Sequence, residues 1–495
     1  MRFPGFIGGS GVTQSLISDA ESTYNWYVEK SQSANAKSPS ALFPTPGFSP
    51  LVTTTDVVGR GCCAAGSRIF MIIGSSLLEL FINQVVPNQP YPYPSTGTLS
   101  FKVRGTVAFD GHPAQIVYSG AIGGQLGIAS GGNFYSYVLA TNVLAQQLNG
   151  LATMTAFANG FFFAFNLATG KVLLSKLNDG TSWDLGNFFQ RELFPDPWQT
   201  IFTDSNNLLW LIGTESFEVW YDTGIGNQPF APLSGLQGLY GIAASWAFTR
   251  SPLGNLWLAA NAQGIGQLVL STGSTPIPVS TYAFSVAGAN YLRTSTIADA
   301  EMMAYQQLGH TFAVVSFPSV PASWAYDLTE QGWANRGAWN PNLGRFDLWA
   351  PRIHQTAFGR DLVVGWTGAT ICDMNPAYTT EIDGVTGIVR ERTTPGLTAE
   401  HARIPIDQFE LLMAVGITPG QVGQASDPTV TLRTSFDGGE TYGNERRASM
   451  GKIGKYQTRV YWNQLGAPAD VVMKVRSSDP APSRIIDAWV NNLEK

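Results

Sequence analysis

The sequence predicts an all-β protein, a six- or seven-bladed β-propeller with an N-terminal arm and a small C-terminal β domain. Three observations carry that expectation: the composition, the spacing of turn-bounded apolar runs, and a break in composition near residue 400. Of 495 residues, 53 are glycine and 29 proline, and only 13% are charged, where about 25% is usual. A charged disordered chain and a long helical or coiled-coil protein are thereby excluded. Hydrophobic residues at 44% and aromatic residues at 12% supply a core and suit strands whose turns are made by glycine and proline.

From about residue 55 to 380 one pattern recurs: a polar turn, a short apolar run, a second turn, and another apolar run. Phe161 to Phe165 is followed by the turn Asn166 to Gly170 and by Lys171 to Ser175. Leu208 to Ile212, Leu256 to Ala260 and Asp361 to Gly365 open three further copies, and weaker ones centre near Gly74, Ser130 and Phe317. Markers in the second turns, Gly74, Ser130, Asn166, Gly213, Asn261, Phe317 and Trp366, recur at intervals of 36 to 56 residues. Propeller blades repeat at roughly 40 to 50 residues, because a small twisted sheet buries its faces only against neighbours and a ring leaves none uncovered. A stack of irregular hairpins in a sandwich is the alternative.

Residues 401 to 495 carry 11 Lys and Arg and 10 Asp and Glu, against 18 and 25 in the first 400. With strand-like segments at Thr429 to Arg433, Gln457 to Trp462 and Val471 to Arg476, this marks a separate β domain. The expected division is an N-terminal extended arm or entry strand over 1–50, a propeller over 51–385, and a C-terminal β domain for oligomerisation over 386–495. Gly8-Gly9-Ser10-Gly11 follows no buried strand and precedes no Lys-Ser/Thr, so it reads as flexible arm and not as a phosphate loop.

A net charge of −6 and a pI near 5.3 provide no basic footprint for gripping DNA. So few charges leave weakly polar surface that assembly would cover. The adjacent Cys62 and Cys63 point to opposite faces of a strand and cannot close an ordinary disulfide, so folding in a reducing cytoplasm is expected. The apolar stretch from Ile69 to Ile82 is interrupted by Gly74, Ser75, Ser76 and Glu79 and is too short to span a bilayer. The N-terminus lacks a signal-peptide core, and no membrane segment is expected.

Catalytic constellations are scarce. His112, His310, His354 and His401 stand far apart without metal-ligand spacing, and no Gly-x-Ser-x-Gly elbow occurs. Glu215 and Glu218 would suit a glycosidase pair, although any propeller carries polar residues at blade rims. No catalytic residue, cofactor or metal is expected. One motif is sharper: Ser435-Phe436-Asp437-Gly438-Gly439-Glu440-Thr441-Tyr442 resembles the Asp-box of sialidase-type propellers, with Tyr442 in place of tryptophan. Its physics is structural, since Asp437 can accept hydrogen bonds from amides of its own turn and Gly439 supplies a backbone conformation other residues avoid. Arg446, Arg447, Lys452 and Lys455 form the densest basic run, which reads as a solvated hairpin or as a docking edge for an acidic or phosphate-bearing partner.

The same C-terminal region resembles the P22-type packaged-DNA stabilization proteins of short-tailed bacteriophages. The matching stretches are Leu432 to Gly439, Asn444-Glu445-Arg446, Gly451 to Val460, Arg476 to Pro480 and Ile485-Ile486-Asp487-Ala488. Asn25 to Glu29, Leu42 to Gly47 and Val389 to Pro395 match the family's start and mid-chain style. The resemblance implies a virion tail protein, a nozzle or hub, made and assembled in the host cytoplasm. In this family six copies form a ring below the portal and its adaptor, continuing and closing the DNA channel, with a needle or plug and fibres or spikes attached. It implies passing double-stranded DNA without sequence-specific binding, support of genome ejection, and no catalytic residue. A charge-poor, mildly acidic wall fits that role, because it repels phosphates weakly within a Debye length of about 8 Å and does not grip them. Two rival readings remain: a receptor lectin displaying Trp210, Trp220, Trp257, Trp324 and Trp366, and a propeller glycoside hydrolase.

Overall fold

The structure, a computed structural model, describes the chain except residues 34, 84–96, 192, 227–228, 261–263, 265, 274, 399–401, 418–423 and 492–495. Asn261 and His401 thus lie outside the described residues. Five four-stranded antiparallel sheets follow one another in simple up-and-down order: from Gly59–Ala65 to Thr98–Thr106, Gln115–Tyr118 to Val143–Leu148, Met154–Ala158 to Asp179–Phe189, Trp198–Thr203 to Phe230–Gly238, and Phe248–Ser251 to Ile277–Pro278. A sixth meander runs from Glu301–Gln307 to Gly332–Arg336. The last sheet pairs Pro351–Ala357, Arg360–Gly365 and Thr370–Asn375 with Gly47–Thr53 from near the N-terminus, Thr370 standing opposite Thr53 and Asn375 opposite Gly47.

The propeller arises because apolar residues crowd both faces of these sheets. Phe70, Ile72 and Leu77 of the first sheet pack with Leu126, Ile128 and Tyr137 of the second, while its other face meets Leu362, Val364 and Ile371 of the last. Each sheet is therefore a wedge with no solvated face, and the stack closes on itself. The six described sequence markers all fall where the second strand of a sheet turns into the third. A 13-residue helix, Tyr282–Thr294, capped by Thr281, is inserted between the fifth and sixth sheets and buries Phe284 against Trp324 and Trp333.

The C-terminal residues form a β-sandwich that is not C-terminal alone. One sheet runs Ser22–Tyr24, Arg390–Thr393, Asp470–Ser477, Thr429–Ser435, Arg446–Ser449; the other runs Trp26–Lys30, Ser40–Pro44, Ile485–Val490, Gln408–Met413, Val460–Asn463. Phe3, Phe6, Trp26 and Leu42 lie in one core with Phe409, Met473, Val475 and Ile485. Ser22–Tyr24 also pairs in parallel with Gly332–Arg336, Tyr24 opposite Asn335, so sandwich and propeller share a continuous sheet.

Residues 1–30, part of the stretch expected to be an extended arm or entry strand, are thus folded back, with Phe3, Phe6, Ser10, Thr23 and Trp26 buried. Gly9 and Ser10 lie against Trp333, with the Ser10 amide donating to its carbonyl at 2.9 Å. The physical reason is that Phe3, Phe6 and Trp26, each at most 2% exposed, are worth about 1.5–3 kcal/mol apiece once out of water. A flexible tether would leave them wet.

Candidate functional site

Four places carry polar side chains in arrangements the fold had to build. The first is an anchor inside the sandwich. Arg392, fully buried, donates through Nε to Phe6 O at 2.7 Å, through Nη1 to Gly9 O and Thr23 Oγ1 at 2.9 Å, and through Nη2 to Gly5 O at 2.7 Å and Glu21 Oε1 at 2.5 Å. One guanidinium thereby collects three backbone carbonyls that no strand would otherwise satisfy. It pins residues 5–9 to the sheet.

The second is the Asp-box-like turn. The Ser435 hydroxyl donates to Asp437 Oδ1 at 2.6 Å and accepts from Gly439 N at 2.8 Å; Asp437 accepts from Thr441 N at 2.9 Å and Thr441 Oγ1 at 2.5 Å. Gly438 and Gly439 have φ of 71° and 102°, a region that penalises side chains. Hydrogen bonds from Ser435 and Thr441 hold the exposed Asp437 carboxyl down at about 2. Tyr442 packs below Lys474, whose Nζ lies 4.1 Å from the ring centre, and burial pushes its phenol up to about 12. All of these bonds are internal to the turn, so its chemistry is self-satisfying.

The third is the basic run. Arg446–Ser449 is the outermost strand of its sheet, and Arg446, Arg447, Lys452 and Lys455 are exposed. Arg446 spends Nη1 on Asn463 O at 2.8 Å, clamping the edges of the two sheets together. Arg447 makes one loose pair with Glu445 at 3.9 Å, while Lys452 and Lys455 have no ion pair among the described residues. Three of the four charges therefore face solvent.

The fourth is a cavity of about 1010 Å³ on the propeller axis, lined by the first strand of every one of the seven sheets. Adjacent first strands lie against one another around the ring; Trp198–Thr203 and Phe248–Ser251 approach least closely, and there the stacked rings of Phe202 and Phe248, 4.8 Å apart, bridge the seam. Two arginines in the wall act as rivets. Arg60 donates to the carbonyls of Gly74, Ala108 and His112 and to Asp110 Oδ1 at 2.6 Å; Arg352 forks onto Glu301 at 2.6 and 2.8 Å. Burial pushes the Cys63 thiol up to about 11 and Cys62 to about 12, so both stay neutral, and all three cysteines are free.

Several other residues singled out from sequence are drawn into the core. Glu218 is fully buried, 2.7 Å from Arg191 Nε in a contact too bent for a hydrogen bond, and accepts from Trp220 Nε1, while Glu215 sits in a turn. The two carboxylates form no pair. Trp210, Trp220, Trp257 and Trp324 are 0–6% exposed and pack between sheets, and Trp366 stacks on Arg352. His310 bonds Asp327 at 2.7 Å and His354 bonds Asp361 at 3.0 Å, while His112 is exposed. Among the described residues no three His, Cys, Asp or Glu side chains converge as metal ligands, and no helix is long and apolar enough to cross a membrane. Sequence reasoning missed Arg392 and the cavity wall, because their partners lie tens to hundreds of residues away and leave no local pattern.

Two family models match the chain. One, described as bacteriophage P22 Gp10, beta-propeller, covers residues 95–342; the other, bacteriophage P22 Gp10, beta-sandwich, covers 389–491. No curated protein matches. Among solved structures the chain is similar to YCF48 from Cyanidioschyzon merolae at 12% identity, over 67% of this chain and 99% of that one, with a TM-score of 0.38. It is similar to PorZ, a surface component of the type-IX secretion system of Porphyromonas gingivalis, at 9% identity over 74% and 45% with a TM-score of 0.35. The WD40 domain of Toxoplasma gondii coronin gives 8% identity over 71% and 85%, with a TM-score of 0.35.

Proposed function

We propose, because this chain belongs to the bacteriophage P22 Gp10 family, that it is the nozzle of a short-tailed phage: a ring of copies below the portal and adaptor that continues the DNA channel, retains the packaged genome and supports its ejection. The observation that carries this reading is that both halves of the family architecture match one chain in order, the propeller at 95–342 and the sandwich at 389–491. Two physical features support it. The sheet shared by Gly332–Arg336 and Ser22–Tyr24 couples the two halves rigidly, as a load-transmitting collar requires. A net charge of −6 with 13% charged residues leaves little to bind phosphates spaced at about one charge per 1.7 Å of duplex.

In this reading the sandwich, with Phe3, Phe6, Trp26 and Leu42 in its core, supplies subunit contacts, and the exposed strand Arg446–Ser449 with Lys452 and Lys455 is the docking edge. The propeller stands outward as a stiff platform where a plug or fibres attach. The role is architectural and uses no catalytic group. The test is a phage in which synthesis of this chain is blocked. Heads should fill and then lose their DNA, measured as nuclease-sensitive genome per particle. Particles that keep the genome and infect normally would sink the proposal.

A further inference from the structure

The axial cavity holds one cation that the fold uses only in part. Arg60 and Arg352 are committed to carbonyls and carboxylates, but Arg250 makes a single bond, Nη1 to Thr203 O at 2.6 Å, and among the described residues no carboxylate lies within ion-pair distance of it. Arg250 is an exposed residue that borders the cavity, and crowding of its guanidinium by neighbouring atoms lowers its pKa. Asp204, the nearby acid, is spent on its own turn, with Oδ1 accepting from Asn206 N and Leu208 N and Oδ2 from Trp210 Nε1. The Cys63 thiol beside Arg250 is neutral.

One further unpartnered group lines the cavity with it. Thr203, 7% exposed, has its hydroxyl sealed off from the cavity. Asn255, also 7% exposed, stands directly across the hairpin from Arg250, which puts both side chains on the same face, and its carboxamide makes no hydrogen bond among the described residues. A guanidinium and an amide thus border one concave space at the seam between the fourth and fifth sheets. The edge of a planar guanidinium left free by the Thr203 carbonyl matches a two-oxygen anion.

We infer that the propeller's axial cavity is a binding site for a small oxyanion, a carboxylate or phosphoryl group, held by Arg250 and Asn255. The volume of about 1010 Å³ is at the upper end of ligand pockets and leaves room for an anionic group carried on a larger polar molecule. This site stands apart from the tail role and does not depend on it.

The test is isothermal titration of the full chain with inorganic phosphate and, separately, citrate, at constant ionic strength in a chloride background. Saturable binding of one probe at a single site is expected, and which probe binds assigns phosphoryl or carboxylate. Arg250→Gln should weaken it at least tenfold and Asn255→Leu by several-fold, with unchanged circular dichroism. Because Arg250→Gln also removes a bond across the seam, Asn255→Leu, which leaves that bond in place, serves as the independent variant. Absence of saturation with both probes, or equal binding by folded Arg250→Gln or by Asn255→Leu, overturns the inference.

Discussion

Replacing Arg392 by leucine removes the group that makes most of the side-chain hydrogen bonds between residues 5–9 and the sandwich; Thr23 Oγ1, donating to Gly8 O at 2.8 Å and Gly9 O at 2.9 Å, supplies the others. In the native protein its five bonds, at 2.5 to 2.9 Å, satisfy the carbonyls of Gly5, Phe6 and Gly9, the Thr23 hydroxyl and the Glu21 carboxylate. Leucine would leave the carbonyls of Gly5 and Phe6 dry at about 1–3 kcal/mol each if neither could reach water, while Gly9 O keeps the Thr23 hydroxyl. Glu21 retains 21% side-chain exposure and can rehydrate, and the strand ends can loosen. The net loss is therefore set by the figure for breaking one side of a buried pair, about 3–5 kcal/mol. Lysine keeps the charge but has three donors on a flexible stem, so Arg392→Lys should lose about 2 kcal/mol. Arg447→Ala, on a side chain 75% exposed, should stay within about 0.5 kcal/mol. Urea unfolding of the three variants reads these differences, and limited proteolysis should find new cuts before residue 20 in Arg392→Leu. A loss under about 1 kcal/mol for Arg392→Leu would refute the claim that this guanidinium pins the N-terminal segment.

Burial raises the Glu381 carboxyl to about 7. Its folded pKa exceeds the usual 4.5, so the native state holds its proton more tightly and stability falls as pH rises from about 4.5 to 7, by about 3 kcal/mol; Glu381→Gln should flatten that slope, and an unchanged pH profile of Tm would contradict it. His310, raised chiefly by its hydrogen bond to Asp327, gives stability that is complete below pH 6.5 and lost as pH rises through its folded pKa, which NMR titration and loss of that window in His310→Gln would check. Gly61→Ala places a methyl against the Ala114 carbonyl oxygen and should destabilise the contact between the first two sheets by about 1–3 kcal/mol, read by urea titration. Deleting residues 1–30 removes Phe3, Phe6, Trp26 and two strands, so the sandwich itself should become protease-sensitive and any ring should be lost with it; a truncated chain with a protected sandwich and an unchanged oligomer by light scattering would contradict both.

The propeller rhythm was legible because a meander is local: each turn, such as Asn166 to Gly170, joins strands adjacent in sequence, and apolar runs such as Phe161–Asn166 are buried on both faces. The Asp-box-like turn was legible for the same reason, since every bond from Ser435 to Thr441 spans at most four residues. What escaped was long-range pairing. Gly47–Thr53 reads as an ordinary proline-flanked segment, and nothing local says that it closes a sheet with Thr370–Asn375. Gly8 to Gly11 reads as loose linker, because its order is imposed by Arg392 and Trp333 far along the chain. The cavity residues Thr203, Arg250 and Asn255 are unremarkable in sequence; only the ring brings the first to the other two.

The most direct measurement is cryo-electron microscopy of purified virions that carry this chain. The expected result is density for propeller and sandwich in several symmetry-related copies around the tail axis, with sandwiches in mutual contact and the chain's surface facing the DNA path. Intact, genome-filled virions in which this chain is absent from the tail, or present as a single unassembled copy, would contradict it.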